Sequence, residues 1–307
     1  MTVRSLDLLD LPFLSRYRQD ALFLDSARFL TRGNPLSAMA LLAYLDPRRN
    51  LYTAFAREDG DSLMGQVILN ERETSARLTF LAPAEQVGPL AGSLLDHLTK
   101  HAGGWGAQHL LAEVDEDSPA FKSLRLAGFA MYAWQRVWKL PEVKGKAGKS
   151  DWQAVEETDW PAIQSLHGQI IPALIQPVDA LPKQASGLVC RAGAEIQAYV
   201  RESSGPAGIW LQPLIPPDSG CGAEQLTGLA RAVTGGDRRP VYVCVRSYQA
   251  WLESALADLG AQAGARQAVM VKRLVKTVRE AQVVPVMEKA LAKAKPAAPA
   301  ARVESEK

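Results

Sequence analysis

The sequence predicts an α/β protein in which one unit is written twice, and three observations carry that prediction. Short helical runs close on a glycine in both halves: FKSLRLAG ends at Gly128 and LESALADLG at Gly260. Seven residues past each glycine stands a glutamine, Gln135 or Gln267, followed two places on by Val137 or Val269. These landmarks share one separation, 132 positions, as do Leu94 with Leu226 and Met64 with Ile196. A fixed register of this kind marks a repeated structural unit. Asp10-Leu11-Pro12 and Asp159-Trp160-Pro161 open the halves but lie 149 apart, which places an insertion between Pro12 and Met64.

Within the first half, Val3 to Leu9 reads as a strand and Leu11 to Leu30 as a helix around Leu14, Tyr17, Leu22 and Phe29. Asn34-Pro35 breaks it, and a second helix is expected over Ser37 to Leu45. Three strands follow, Leu51–Arg57, Leu63–Leu69 and Ala76–Leu81, joined by Glu58-Asp59-Gly60 and a charged turn at Glu71-Arg72-Glu73. Leu90, Leu94, Leu95 and Leu98 have helical spacing. His109 to Val114 reads as a strand. Pro119 then sits at the first turn of a helix capped by Asp117 or Ser118 and stopped by Gly128, and Ala133–Leu140 closes the half.

The polar, basic stretch Val143 to Ser150 reads as a linker. The second half repeats the order with strands near 188–190, 196–201, 209–215 and 241–246. Leu226, Leu229, Ala230 and Val233 mark one helix, Trp251–Leu259 another, and Gln267–Leu274 the closing strand. After Lys276 a short helix and an Ala/Pro/Lys tail are expected.

Composition narrows the class. With 307 residues, 47% hydrophobic and 22% charged, the chain is of ordinary globular make-up and long enough for two domains. A net charge of +2 gives no reason to expect a nucleic-acid partner or a membrane surface. Leu36–Leu45 is the longest apolar run and is too short to span a bilayer. The N-terminus does not read as a signal peptide. Three cysteines, Cys190, Cys221 and Cys244, form no C-x-x-C pair, and a reducing cytoplasmic setting is expected.

The strand–helix–helix–three strands–helix–strand–helix–strand order, with Gly128-Phe129 after the last helix, resembles the GCN5-related N-acetyltransferase family. The resemblance covers residues 1–140 and, more faintly, 151–275. It implies two tandem acetyltransferase-like domains, each a mixed, splayed sheet flanked by helices: residues 1–141, a linker over 142–150, a degenerate copy over 151–275, and a helix with a tail over 276–307. In such a domain the fourth and fifth strands part to admit the pantetheine arm of acetyl-CoA. The family's pyrophosphate loop maps onto Gln86-Val87-Gly88-Pro89-Leu90-Ala91, where Gln86 and Ala91 match and Pro89 replaces the central glycine. Proline has no N–H to offer an anion. The resemblance thus implies a cofactor-binding role for Leu81, Gln86, Val87, Gly88, Ala91 and Gly92. In the second half the loop becomes Asp218-Ser219-Gly220-Cys221-Gly222-Ala223.

A tyrosine that often protonates the leaving thiolate is replaced by Leu124 and Leu256. An asparagine common at the start of that helix corresponds to Asp117 and Gln249. Glu113 is the candidate general base, with Asp115 beyond it. The alternative for Glu113 is a solvent-facing strand charge. Tyr132 is the candidate acid, or else a half-buried strand aromatic. His97 and His101 have i, i+4 ligand spacing but no third ligand, so solvated histidines are expected and no metal. Trp134, Trp138, Trp152 and Trp160 either join the halves or fill each core.

Two functional readings remain open at this point. One is an N-acyltransferase carrying an acetyl group from acetyl-CoA to a small-molecule or peptide amine by direct attack, as a monomer or a homodimer. The other is a catalytically inactive acetyltransferase-like binding or regulatory module.

Overall fold

The structure, a computed structural model, describes residues 2–7, 10, 15–37, 50–70, 73–142, 151–182, 186–193, 195–219, 222–234 and 238–274. Among them, thirteen strands form a single continuous mixed sheet. The first half supplies β1 (Thr2–Ser5), β2 (Leu22–Phe23), α1 (Ser26–Arg32), β3 (Asn50–Glu58), β4 (Asp61–Leu69) and β5 (Ser75–Ala82). It continues with α2 (Val87–Gly104), β6 (His109–Asp115), α3 (Pro119–Leu126) and β7 (Ala130–Lys139). The second half supplies β8 (Trp152–Ala154), α4 (Trp160–Ile170), β9 (Leu188–Ala192), β10 (Glu195–Gly205) and β11 (Gly208–Leu214). It ends with α5 (Ala223–Thr234), β12 (Val241–Arg246), α6 (Leu252–Asp258) and β13 (Gln262–Arg273).

The strands run β1-β3-β4-β5-β6-β13-β7-β12-β11-β10-β9-β8, so the two halves exchange their closing strands. β13 lies antiparallel to β6 with Glu113 opposite Val269, and β7 lies antiparallel to β12 with Val137 opposite Cys244. The two exchanged strands also pair with each other, and Gln135 stands opposite Gln267 on the approximate dyad. The Gln135 amide donates to Oε1 of Gln267 at 2.8 Å. The sequence landmark that marked the repeat is therefore the place where the repeats meet.

Each half buries its own leucine-rich helix. Leu90, Leu94, Leu95 and Leu98 of α2 pack with Leu124 of α3 against β3–β6, and Leu226 and Leu229 of α5 with Leu256 of α6 against β10–β12. Met270 and Ala268, from β13, belong to the first of these cores, and Trp138 belongs to the second. Trp152 joins Trp138 there, whereas Trp134 packs on the first core and Trp160 on a third cluster around Ile163 and Tyr199. The tryptophans thus divide among the cores. Close backbone approach adds a second link between halves. Ala207 N–H donates to Thr31 O at 2.8 Å, and a side chain at Gly208 would meet Leu30 O at 2.7 Å.

The long helix expected over Leu11–Leu30 does not form. A 3-10 turn at Ser15–Tyr17, the strand β2 and the short helix α1 take its place, with Asp25 capping α1 by accepting from Arg28 N–H. The apolar spacing there served a strand and a helix in succession. The opening strand ends at Ser5 and not at Leu9. The expected helix at Ser37–Leu45, the linker and the tail lie, from Ala38 on in the first case, outside the described residues.

Because neither half's sheet closes without the other's last strand, a fragment of residues 1–150 will show no cooperative urea transition. Co-expression with residues 151–307 will restore one; an independently folded N-terminal fragment, seen by dispersed amide NMR signals, would contradict the exchange.

Candidate functional site

Two V-shaped gaps open in the sheet. β5 and β6 run parallel but pair only over Ser75–Arg77 with His109–Leu111, and then diverge. β11 and β12 do the same after Leu211 and Val243. A gap of this kind exposes backbone N–H and C=O groups that must find partners.

In the first half the chain itself supplies those partners. β2 enters the gap antiparallel to β5, with Leu22 opposite Leu81 and Phe23 opposite Phe80. Leu24 N–H donates to Thr79 O at 2.9 Å, and Leu24 O accepts from Glu113 N–H at 2.8 Å. The segment therefore bridges both walls, and Leu24 is buried in the first core. Leu81 is fully buried between Gly65 and Leu22.

In the second half one side chain performs the same task. Gln249, 1% exposed, accepts from Ile215 N–H at 3.1 Å and donates to Pro213 O at 2.9 Å. Its carboxamide has the hydrogen-bonding pattern of a peptide group, so it stands in for an added strand. Trp251 Nε1 donates to Ile215 O at 3.1 Å.

Glu113 is not a solvent-facing charge. It is 3% exposed, its Oε2 accepts Ser26 N–H at 2.9 Å, and its Oε1 lies 3.8 Å from Arg77 Nη1 and 3.9 Å from Arg246 Nη2. It forms the middle of a buried row of charges that crosses from one half to the other. Asp25 lies at one end, where burial pushes its carboxyl above the usual range. Asp179 lies at the other, 3.8 Å from Arg246 Nε and accepting from Tyr248 Oη at 2.5 Å and Gln212 Nε2 at 3.2 Å. Burial pushes the Asp179 carboxyl up, but Arg246, Arg201 and these donors outweigh it and leave it below its ordinary value. Tyr132 packs beside this row with Arg246 over its ring at 5.9 Å, and burial raises its hydroxyl to about 12. Cys244 donates to Gln135 Oε1 and is likewise raised by burial to about 12, which makes it a core thiol and not a nucleophile.

The other candidates cluster at the turn from β5 into α2 without forming a pocket around Glu113. Gln86 precedes α2 and donates to Asp61 Oδ1 at 3.2 Å. Val87 and Ala91 face the core, and Val87 O accepts from Ser123 Oγ at 3.1 Å. Gly88, Pro89 and Gly92 are exposed, with open space around the two glycines. Leu124 and Leu256, at the tyrosine positions, are fully buried. In the second half's loop Gly220 and Cys221 lie outside the described residues. His97 and His101 are half-buried and engaged by one tyrosine: Tyr52 Oη bonds His97 Nε2 at 2.8 Å, and the Tyr52 ring stacks on His101 at 3.5 Å. Among the described residues no group of three His, Cys, Asp or Glu side chains is placed to hold a metal, and no helix is long and apolar enough to cross a membrane.

These features define an α/β protein whose one continuous mixed sheet is splayed in each half. No family model matches the chain, and no curated protein matches it. Among solved structures it is similar to a GCN5-related N-acetyltransferase from Sphaerobacter thermophilus, with 14% identity over 89% of this chain and 95% of that one and a TM-score of 0.54. It also matches an acetyltransferase of the GNAT family from Colwellia psychrerythraea (12% identity, 89% and 100% covered, TM-score 0.45). A third match is a tandem GNAT protein from the clavulanic acid biosynthesis pathway (14% identity, 89% and 98% covered, TM-score 0.48). The chain thus has the GCN5-related N-acetyltransferase fold, in two tandem copies. The β2 plug and the Gln249 bridge were missed in the sequence. The second had a signal, since Gln249 stands at the asparagine position of the family.

Three outcomes are expected. Glu113→Ala leaves buried Arg246 and half-buried Arg77 without their shared carboxylate and will cost about 3–5 kcal/mol, read from urea unfolding. Gln249→Ala orphans two buried backbone groups and will cost about 1–3 kcal/mol for each by the same assay. Tyr132, raised in the folded state from about 10 to about 12, contributes stability that is complete below its unfolded pKa and lost as pH rises toward the folded value. The urea midpoint will therefore fall between about pH 10 and pH 12, and by less in Tyr132→Phe.

Proposed function

We propose that this chain uses the acetyltransferase fold as a binding module and does not turn over acetyl-CoA through the sheet gap of its first half. One observation carries the reading: Leu22–Leu24 already occupies the gap and uses Thr79 O and Glu113 N–H, the backbone groups a pantetheine arm would need. Other features agree with it. Pro89 has no N–H at the pyrophosphate loop, Leu124 and Leu256 replace the acid, and Glu113 is held by Ser26, Arg77 and Arg246 with no free path to an amine's proton.

The second reading is an N-acyltransferase in which an amine attacks acetyl-CoA in a ternary complex. The fold shared with N-acetyltransferases supports it. In that reading Gln86, Gly88 and Gly92 meet the pyrophosphate at the start of α2, whose eighteen residues give a well-developed N-terminal dipole. The thioester would then reach Leu81 only after β2 leaves the sheet. Departure of β2 would expose Leu24 and open the first core, which makes turnover by the chain as folded unfavourable.

Thermal unfolding with millimolar acetyl-CoA separates the readings. A ligand at 100 times its Kd adds about 2.7 kcal/mol of stability. We expect no shift in the full chain and no free thiol released on adding amines; a shift together with thiol release would establish the enzyme.

A further inference from the structure

The segment that closes the first half's gap is gripped at its far end by the second half. β2 runs through Asp25 into α1, a helix of seven residues. So short a helix is not stable alone, and its last carbonyls lack partners within it. Phe29 O accepts from Gly33 N–H at 2.8 Å, but Thr31 O accepts from Ala207 N–H, across the joint, at 2.8 Å. Thr31 itself is buried, with Oγ1 donating to Ala27 O at 2.7 Å. The carboxyl end of α1 is therefore capped by the tip of the β10–β11 hairpin.

That tip is built for close approach. Gly205 and Gly208 stand opposite each other, and Pro206 presets φ at the first central position of the turn between them. Arg239 Nη1 donates to Ser204 Oγ at 2.8 Å and to Gly205 O at 2.7 Å, which fixes the tip from the approach to β12. The atoms nearest to where a side chain at Gly205 would begin all belong to Thr31: its O, its C at 2.8 Å and its Cβ at 3.2 Å. At the other end of α1, Ser26 N–H donates to Glu113 Oε2, and Leu24 O accepts Glu113 N–H inside the gap. One short rod thus joins the hairpin tip of the second half to the sheet gap of the first.

We propose that the β10–β11 tip is a latch: it holds α1, α1 holds β2 in the gap, and the second half thereby controls access to the first half's gap. Displacing the tip takes away the donor that satisfies Thr31 O and leaves α1 uncapped. β2 pairs with β5 only over Leu22 and Phe23, so a freed α1 leaves little ladder to keep it in place. The inference deepens the binding-module reading and rests on it in taking β2 as the element that closes the gap. It gives the second half a regulatory part, exerted through α1 and not through a contact with the gap itself.

Amide hydrogen exchange of the full chain, read by NMR, tests the latch in two variants. Gly205→Ala drives a methyl group into the backbone of Thr31, which cannot yield as a flexible side chain could. The Leu24 and Glu113 amides should then exchange about tenfold faster or more, while the amides that pair β10 with β11 keep their rates. Millimolar acetyl-CoA should raise the unfolding temperature of this variant and not that of the wild-type chain. Arg239→Ala loosens the tip without a clash, should speed the same two amides, and decides the matter if Gly205→Ala does not fold. Unchanged Leu24 and Glu113 exchange in the folded variants would overturn the latch, as would an opened gap that still gives no shift with acetyl-CoA. A shift already present in the wild-type chain would end the binding-module reading, and faster exchange confined to Leu24 and Glu113 would still establish the grip of the tip on α1.

Discussion

The pairing of β13 with β6 and β7 is the contact on which the rest of the structure depends. It makes two half-sheets into one, delivers Ala268 and Met270 into the first half's core, and brings Gln267 to Gln135. The buried charges follow from it. Glu113 and Arg246 come from different halves, and they lie within reach only because their strands flank the exchanged pair. Buried ion pairs add little net stability against an apolar equivalent, yet are costly to break. A row of alternating charge across the joint therefore constrains how the halves meet more than it strengthens them.

Both splayed gaps are closed from within, by unrelated means. The first half spends a stretch of backbone, the second a carboxamide whose donor and acceptor reproduce a peptide's. Two different solutions to one geometric problem indicate that closing the gap is a requirement of each half, because unpaired backbone groups in a core carry a penalty. Here the protein meets that requirement with its own residues.

The sequence made the architecture legible where periodicity and punctuation agree. Gly128 and Gly260, both at positive φ, end their helices as read, and the leucines of α2 face the core at the predicted spacing. The 132-residue register found the dyad at Gln135 and Gln267. It could not show that the strands following those glycines cross over, because exchange leaves each strand's own alternation unchanged. The misread segment was Leu11–Leu30. Leu22, Leu24 and Phe29 are apolar for a strand that fills a gap and a helix that caps it, and a single helical period absorbed both. Glu113 was found as a residue of consequence, but its partners Ser26 and Arg246 lie 87 and 133 positions away, beyond any local pattern.

The exchange also governs the order in which the chain can mature. β6 is complete at Asp115, while its neighbour β13 begins at Gln262. At ~5–20 residues per second of translation, a newly made first half waits many seconds with an open strand edge beside apolar Val114 and Ala112. A bare edge of that kind invites mispairing with another nascent copy. Biogenesis of this protein is thus decided by the twelve residues of β13, and a ribosome that stalls just short of them leaves both halves unfinished.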